Sequence, residues 1–235
     1  MSDTNLDDPR LFEIVHTTRS MRRLKPDPVP DGLIRRILEA GAAAPSGGNM
    51  QRWRFLVVKN LEIKKAAGAY YKRAWDEYVG PTYRAGTPAP GVSAERFGRM
   101  LDAAQHLADH IHEAPVWIVA CLEGVGVHGV PTYWSGSSIY PAAQNMLLAA
   151  RALGLGATLT TLFLRYENEV AGIFGLPADV KCYALLPIGY PLGRFGPVRR
   201  KPLDEITYLD KWGQAYATGP AARRLHARPF TMRTA

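Results

Sequence analysis

The residues of this chain that could do chemistry fall into three groups. Two are basic: residues 19–25 carry Arg19, Arg22, Arg23 and Lys25, and residues 194–201 carry Arg194, Arg199, Arg200 and Lys201, neither with an acid. Arginines spaced around Ser20 offer charge-assisted donors in a pattern suited to a phosphate, although two solvated surface patches would read the same way. The third is the loop Pro45-Ser-Gly-Gly-Asn-Met-Gln51, whose small residues let the backbone approach a flat ligand closely. His106 and His110 stand four apart, as a metal-holding pair would. They lack an H-E-x-x-H setting and sit in a polar segment, so a solvated face is the better reading and no metal site is expected. Ser46 is not in a G-x-S-x-G turn and has no assignable His and Asp. Gly154-x-Gly156 has a helical stretch before it and a strand after it, the reverse of a dinucleotide fingerprint, and no P-loop is present. Cys121 and Cys182 lie in apolar runs and read as buried, inert thiols.

Elements of both kinds must position these groups. Helical spacing predicts a helix over 9–18, and Leu33, Ile34, Ile37 and Leu38 predict another with Asp31 as its N-cap. Pro26, Pro28 and Pro30 force an extended link between them. A strand over 54–59 follows the small-residue loop. A helix over 61–78 then carries Tyr70, Tyr71, Trp75 and Tyr78, and residues 80–92, rich in Pro and Gly, read as a loop. Helices over 93–112, 135–153 and near 167–174 alternate with strands over 115–121, near 157–162 and over 181–188. Gly154 and Gly156 end the apolar central helix, and the chain beyond Pro202 reads as extended and peripheral. The order is α+β.

The chain has 235 residues, 47% of them hydrophobic and 21% charged, which excludes a largely disordered protein. Its net charge of +8 raises nucleic acid, an anionic membrane or an anionic ligand as partners. The stretch after Gly213 holds Arg223, Arg224, Arg228 and Arg233 with no acid, and so half of that charge. Basic residues interleaved with aromatics along one element, the commoner nucleic-acid pattern, are not seen. The N-terminus is acidic and polar, and the longest apolar run, 114–122, is shorter than the roughly 20 residues of a membrane span. A soluble, cytoplasmic protein is expected.

Taken in order, several segments resemble the nitroreductase family. Thr18-Arg-Ser-Met-Arg-Arg23 is similar to its opening Arg-Arg-Ser-x-Arg motif, and Ala44-Pro-Ser-Gly-Gly-Asn-Met-Gln-Arg-Trp53 to its Ala-Pro-Ser-x-x-Asn-x-Gln-Pro-Trp motif. Residues 138–145 and 149–156 resemble its core helix, and 186–191 with 199–205 its C-terminal strand and arm. The resemblance implies a three-layer α/β/α sandwich with a central mixed sheet. It implies a homodimer with FMN at the interface and NAD(P)H as electron donor, a deazaflavin donor staying open. FMN would be held by Arg19, Ser20, Met21, Arg22, Arg23 and Arg200 around phosphate and ribityl, and by Pro45 and Ser46 from the other subunit, with Asn49 and Gln51 near the ring. Leu159, Thr160 and Thr161 would run past the N5 and O4 edge of the ring.

A single FMN-binding domain over 1–213 with a lid at about 64–100, and a basic tail over 214–235, is the implied organisation. Tyr70, Tyr71 and Trp75 of the lid would select a flat aromatic substrate by stacking. The flavin carries the redox chemistry, so no catalytic side chain is required. The expected activity is ping-pong hydride transfer from NAD(P)H to a nitroaromatic or quinone-like acceptor. Residues 159–161 and the C-terminal stretch are also similar to the iodotyrosine deiodinase branch, which keeps reductive dehalogenation, or a metabolite-specific dehydrogenation, as the alternative. That branch clamps a zwitterion with an acid, where this lid has Ala66 and Ala67. A flavin- or nucleic-acid-binding module with a basic tail is the non-enzyme alternative.

Overall fold

β2 (Val116–Glu123) shows how the layers arise. A strand turns alternate residues to opposite faces, and this one is apolar on both. Val116, Ile118, Ala120 and Leu122 pack with Ile34 and Ile37 of α2 (Asp31–Ala42) and with Ile139, Ala143 and Met146 of α6 (Thr132–Ala152). Trp117, Val119 and Cys121 pack on the other side, against Tyr71 of α3 (Leu61–Ala74), Leu107 of α5 (Ala94–His110) and Val170 of α7 (Glu167–Phe174). Helices therefore cover both faces of one sheet. The computed structural model describes residues 9–88, 91–125 and 132–216. The basic tail is thus outside the described residues from 217 onward.

The sheet has the order β1-β2-β4-β3, with β1 at Trp53–Val58, β3 at Gly156–Ala157 and β4 at Val180–Gly189. The resemblance leads to a mixed sheet, but every pairing of these strands is antiparallel. A parallel neighbour would have to come from chain outside them. The strand expected near 157–162 shortens to β3 and one bridge of Thr160 with Leu185, because Leu162–Tyr166 already winds as a 3₁₀ turn. Asp31 is the first residue of α2 rather than its cap, and pairs with Lys59.

The lid differs most from expectation. α3 gives way to a π-helical turn, Trp75–Val79, and then to α4 (Gly80–Ala85), where a loop was expected. Proline is tolerated in a helix's first turn because the N–H it lacks would have no partner there. Pro81 sits in that position. At the other end of α3, Asn60 is a true cap: its Oδ1 accepts from the N–H of Glu62 at 2.9 Å and of Ile63 at 3.1 Å. Buried Lys64 donates to the carbonyl of Ala114 at 2.6 Å and ties α3 to the lead-in of β2. Asn60→Ala should lower stability by about 1 kcal/mol, read as a shift in the urea midpoint at unchanged slope. A wild-type midpoint would show that the cap contributes nothing.

The residues divide into two units, Met1–Pro197 and Val198–Ala235. All the strands and helices above belong to the first, as does α1 (Pro9–Thr17). The described part of the second holds one turn, Leu203–Glu205, and a bridge of Tyr208 with Ala215 that brings the Tyr208 and Trp212 rings to 4.6 Å.

Candidate active site

Residues 21–25 run extended along the sheet's end. Met21 N–H donates to the Ala157 carbonyl at 2.9 Å and Lys25 N–H to that of Tyr190 at 2.8 Å, while Leu24 bridges Pro191. Extended backbone alternates its side chains, so buried Met21 packs toward β3 and Arg22 reaches the opposite side. There Arg22 lines a cavity of about 180 Å³ with Thr158–Leu162 and with Tyr71, Trp75, Val79 and Tyr83 of the lid. Arg22 has no ion pair among the described residues. Burial therefore holds its guanidinium below the usual range, opposed only by the phenols of Tyr71 and Tyr83. Desolvating a cation without a counter-charge is unfavourable even when it is half-buried, as Arg22 is, and an anionic or electron-rich ligand would offset that cost.

The far wall of this cavity carries its own donors. Thr160 exchanges both backbone hydrogen bonds with Leu185, at 3.0 and 2.9 Å. The N–H groups of Leu159 and Thr161, on either side, make no backbone hydrogen bond among the described residues. Thr160 Oγ1 donates to the Tyr71 hydroxyl at 3.3 Å, and burial pushes that phenol up.

Tyr71, Trp75, Val79 and Tyr83 are four residues apart in sequence, a stripe that an α-helix would let drift, since three of its turns hold about 11 residues. The wide π turn takes up the excess. Trp75 Nε1 donates to Gln105 at 2.7 Å, and the Tyr83 ring meets the Trp75 ring edge-on at 6.0 Å. Arg84 also donates to Gln105, whose amide in turn donates to Asp109. Tyr83 was missed in the sequence because Gly80-Pro81 reads as a break; the four-residue stripe running through that dipeptide was the available signal. Tyr70, expected beside substrate, instead tilts against Tyr166 at 5.4 Å and does not line the cavity.

The small-residue loop lines a different cavity. Ser46 Oγ accepts from Gln51 N–H at 2.9 Å, and Ser138 Oγ of α6 accepts from Gly47 N–H at 3.2 Å. Asn49 (φ 53°) and Gln51 (φ 50°) hold left-handed backbone that side chains rarely adopt, with Gln51 Nε2 bonded to Asn49 Oδ1 at 2.9 Å. Such strain persists where surroundings enforce it, commonly at binding sites. Ser46, Gly47, Met50 and Arg52 face Glu123–Val125 and Trp134, Ser135, Ser137 and Ser138 across about 350 Å³. The two cavities share no lining residue. Within one chain, then, Arg22 and Leu159–Thr161 meet, while Pro45–Gln51 stands apart from them.

The other basic residues are exposed. Arg19 donates to the Arg194 carbonyl at 2.6 Å, joining the two basic clusters, and Ser20 and Arg23 are open to solvent. Arg200 lies in the second unit, where it donates to the Arg199 carbonyl at 2.9 Å. The His106 and His110 rings stack at 4.5 Å, with His110 on Glu113 at 2.9 Å.

The nitroreductase family model matches residues 15–190. An NADH dehydrogenase of Thermus thermophilus is 32% identical over 198 residues, 80% of this chain and 90% of that protein. An iodotyrosine deiodinase of Daphnia pulex is 29% identical over 213 residues, 83% of this chain and 64% of that protein. Among solved structures, a nitroreductase of Bacteroides fragilis with bound FMN superposes with a TM-score of 0.61 at 22% identity, over 85% of this chain and 98% of that one.

Proposed function

The chain belongs to the nitroreductase family, and on that premise we propose that it is a homodimeric FMN-dependent oxidoreductase. It moves reducing equivalents from NAD(P)H to a small aromatic acceptor of the nitro or quinone type. The observation that carries this reading is Arg22: a half-buried guanidinium with no acid partner among the described residues, facing a cavity walled by backbone donors and aromatic rings. That donor set fits a flavin. Arg22, with Arg19 and Ser20 beside it, would hold its anionic and polar parts, and the N–H groups of Leu159 and Thr161 would donate at the ring edge where negative charge gathers on reduction. FMN, when bound, supplies the hydride-accepting and hydride-donating ring.

The rest of the work falls to the chain itself. A cavity of about 180 Å³ is smaller than the roughly 300–1,000 Å³ of ordinary ligand sites, so the lid helices open to admit ring and substrate. Trp75 and Tyr83 then offer an aromatic wall to a flat acceptor. Donor and acceptor occupy the same space beneath that wall in turn, which makes the kinetics ping-pong. The separation of Pro45–Gln51 from Arg22 within one chain supports a site completed by a second copy.

The deiodinase relative favours a second reading, reductive dehalogenation of a halophenol. The phenol-lined cavity is compatible with it. Ala66 and buried Ala67 give no acid to clamp an amino-acid zwitterion, so free halotyrosine is not the expected substrate.

Purified protein should take up FMN, with the flavin bleached anaerobically by NADH or NADPH. Reoxidation by nitroaromatics and quinones should be faster than by halophenols. Halide release as the fastest reoxidation would move the assignment to the second reading, and failure to take up FMN would end both.

A further inference from the structure

The register of β2 against β4 brings together two thiols that neither cavity uses. From Val116 to Ala120 the strands pair one to one, ending with Ala120 opposite Ala184. Regular continuation would set Cys121 against Tyr183. A bulge intervenes, and Cys121 faces Cys182 instead, while Tyr183 packs on the α2–α6 side. Bulges re-aim side chains in this way. Both cysteines are free, buried beside Phe163 and Val170, and their Sγ atoms are 3.8 Å apart. Regularly opposed residues of antiparallel strands have Cα separations of about 4.5–5.5 Å, inside the range of about 4.4–6.8 Å that a disulfide spans, and here the sulfurs are already in contact at 3.8 Å.

We propose that Cys121 and Cys182 form a two-electron redox pair that closes to a cross-strand disulfide on oxidation by hydrogen peroxide and reopens with a dithiol.

The balance is as follows. The Cys121 thiolate attacks one peroxide oxygen; the O–O bond breaks, Cys121 becomes a sulfenic acid, and hydroxide leaves and is protonated to water. The Cys182 sulfur then attacks Cys121 Sγ, the S–O bond breaks, and the departing hydroxide takes the Cys182 proton as a second water. Two thiols and one peroxide give one disulfide and two waters, the sulfurs losing the two electrons the peroxide gains. The order follows from the contact: the neighbouring thiol eases ionisation of Cys121, whereas Cys182 is pushed far up. Cys121 itself is only 1% exposed, so peroxide must reach it past Cys182 at the start of β4, which keeps 7% of its surface next to the half-exposed Lys181–Glu167 pair. The pairing of the two sites favours disulfide over further oxidation, since the resolving sulfur is already in contact. The closed bond would span from β2 to β4 and so bracket α6, β3 and the Thr158–Leu162 wall.

The test treats the purified, folded protein with hydrogen peroxide, removes the oxidant, and alkylates under denaturing conditions with N-ethylmaleimide before intact mass measurement. The expected product carries no maleimide, has lost two hydrogens and yields a linked Cys121–Cys182 peptide pair. Dithiothreitol before alkylation should restore two adducts. In Cys182→Ser, Cys121 should instead accumulate as a sulfenic acid trapped by dimedone. Two maleimide adducts after oxidation of the wild type, or sulfinic and sulfonic acids without the linked pair, would overturn the proposal. So would a Cys182→Ser protein, folded by circular dichroism, whose Cys121 neither reacts with dimedone nor oxidises.

Discussion

Arg22→Met should weaken FMN binding by roughly 10- to 150-fold while making the apoprotein melt higher. The two effects share one cause. In the free protein the guanidinium is half-buried with no counter-charge among the described residues, and its partial desolvation holds its pKa down. Met keeps much of the volume and none of the charge, so the empty cavity becomes easier to form. A gain of about 1 kcal/mol corresponds to roughly 2–4 °C for a chain of this size. With flavin present the sign reverses, because a charge-assisted hydrogen bond contributes about 1.5–3 kcal/mol, and each 1.4 kcal/mol is tenfold in Kd. Flavin titration by fluorescence quenching and thermal melts of the apoprotein measure the two halves separately. Unchanged FMN affinity would remove Arg22 from the site. A lower apoprotein melting temperature would mean that its aliphatic stem, not its charge, matters for folding.

Gly156→Val should destabilise the fold by about 2–3 kcal/mol and loosen the flavin with it. A Cβ at Gly156 would lie 2.9 Å from Leu24 Cδ2, 3.0 Å from Met21 Cβ and 3.1 Å from Pro191 Cβ. Leu24 can rotate away, but the other two atoms are fixed to backbone. The segment over 21–25 must therefore lift from β3, stretching the Met21–Ala157 hydrogen bond and moving Arg22. The backbone at Gly156 is not left-handed, so the loss is steric rather than conformational. Gly172 on α7 is the control: nothing lies within 4 Å of its added Cβ, and Gly172→Ala should stabilise by up to about 1 kcal/mol. Equal melting temperatures for Gly156→Val and wild type would show that the segment is not clamped there.

Much of the fold was legible in the sequence. The apolar run over 115–121 read as a strand, as β2 is, while the acid-free arginines and the small-residue loop suggested one site for a flat, anionic ligand, where within one chain Arg22 and the loop line separate cavities. The lid was harder. Gly80 and Pro81 are helix breakers by propensity, yet a Cβ at Gly80 would sit 3.0 Å from the Trp75 carbonyl oxygen and 3.1 Å from its Nε1, so glycine lets α4 start tight against Trp75. Local propensity and tertiary packing point opposite ways there, and packing wins. Tyr70 stands away from the cavity for a simpler reason: adjacent residues of a helix point about 100° apart, so α3 turns Tyr71 to the cavity and Tyr70 toward Tyr166. The thiol pair was invisible because register is a relation between strands distant in sequence, and one extra residue on β4 decides which side chain Cys121 meets.

The separation of the two cavities has a consequence for mass action. Where Pro45–Gln51 of one copy completes the Arg22 cavity of another, flavin binds an assembled pair and not a single chain, and ligand and partner become thermodynamically linked. Flavin affinity should then fall on dilution, and excess FMN should hold the pair together at concentrations where the apoprotein comes apart. Specific activity measured at nanomolar enzyme would depend on the enzyme's own concentration, as would the apparent melting temperature.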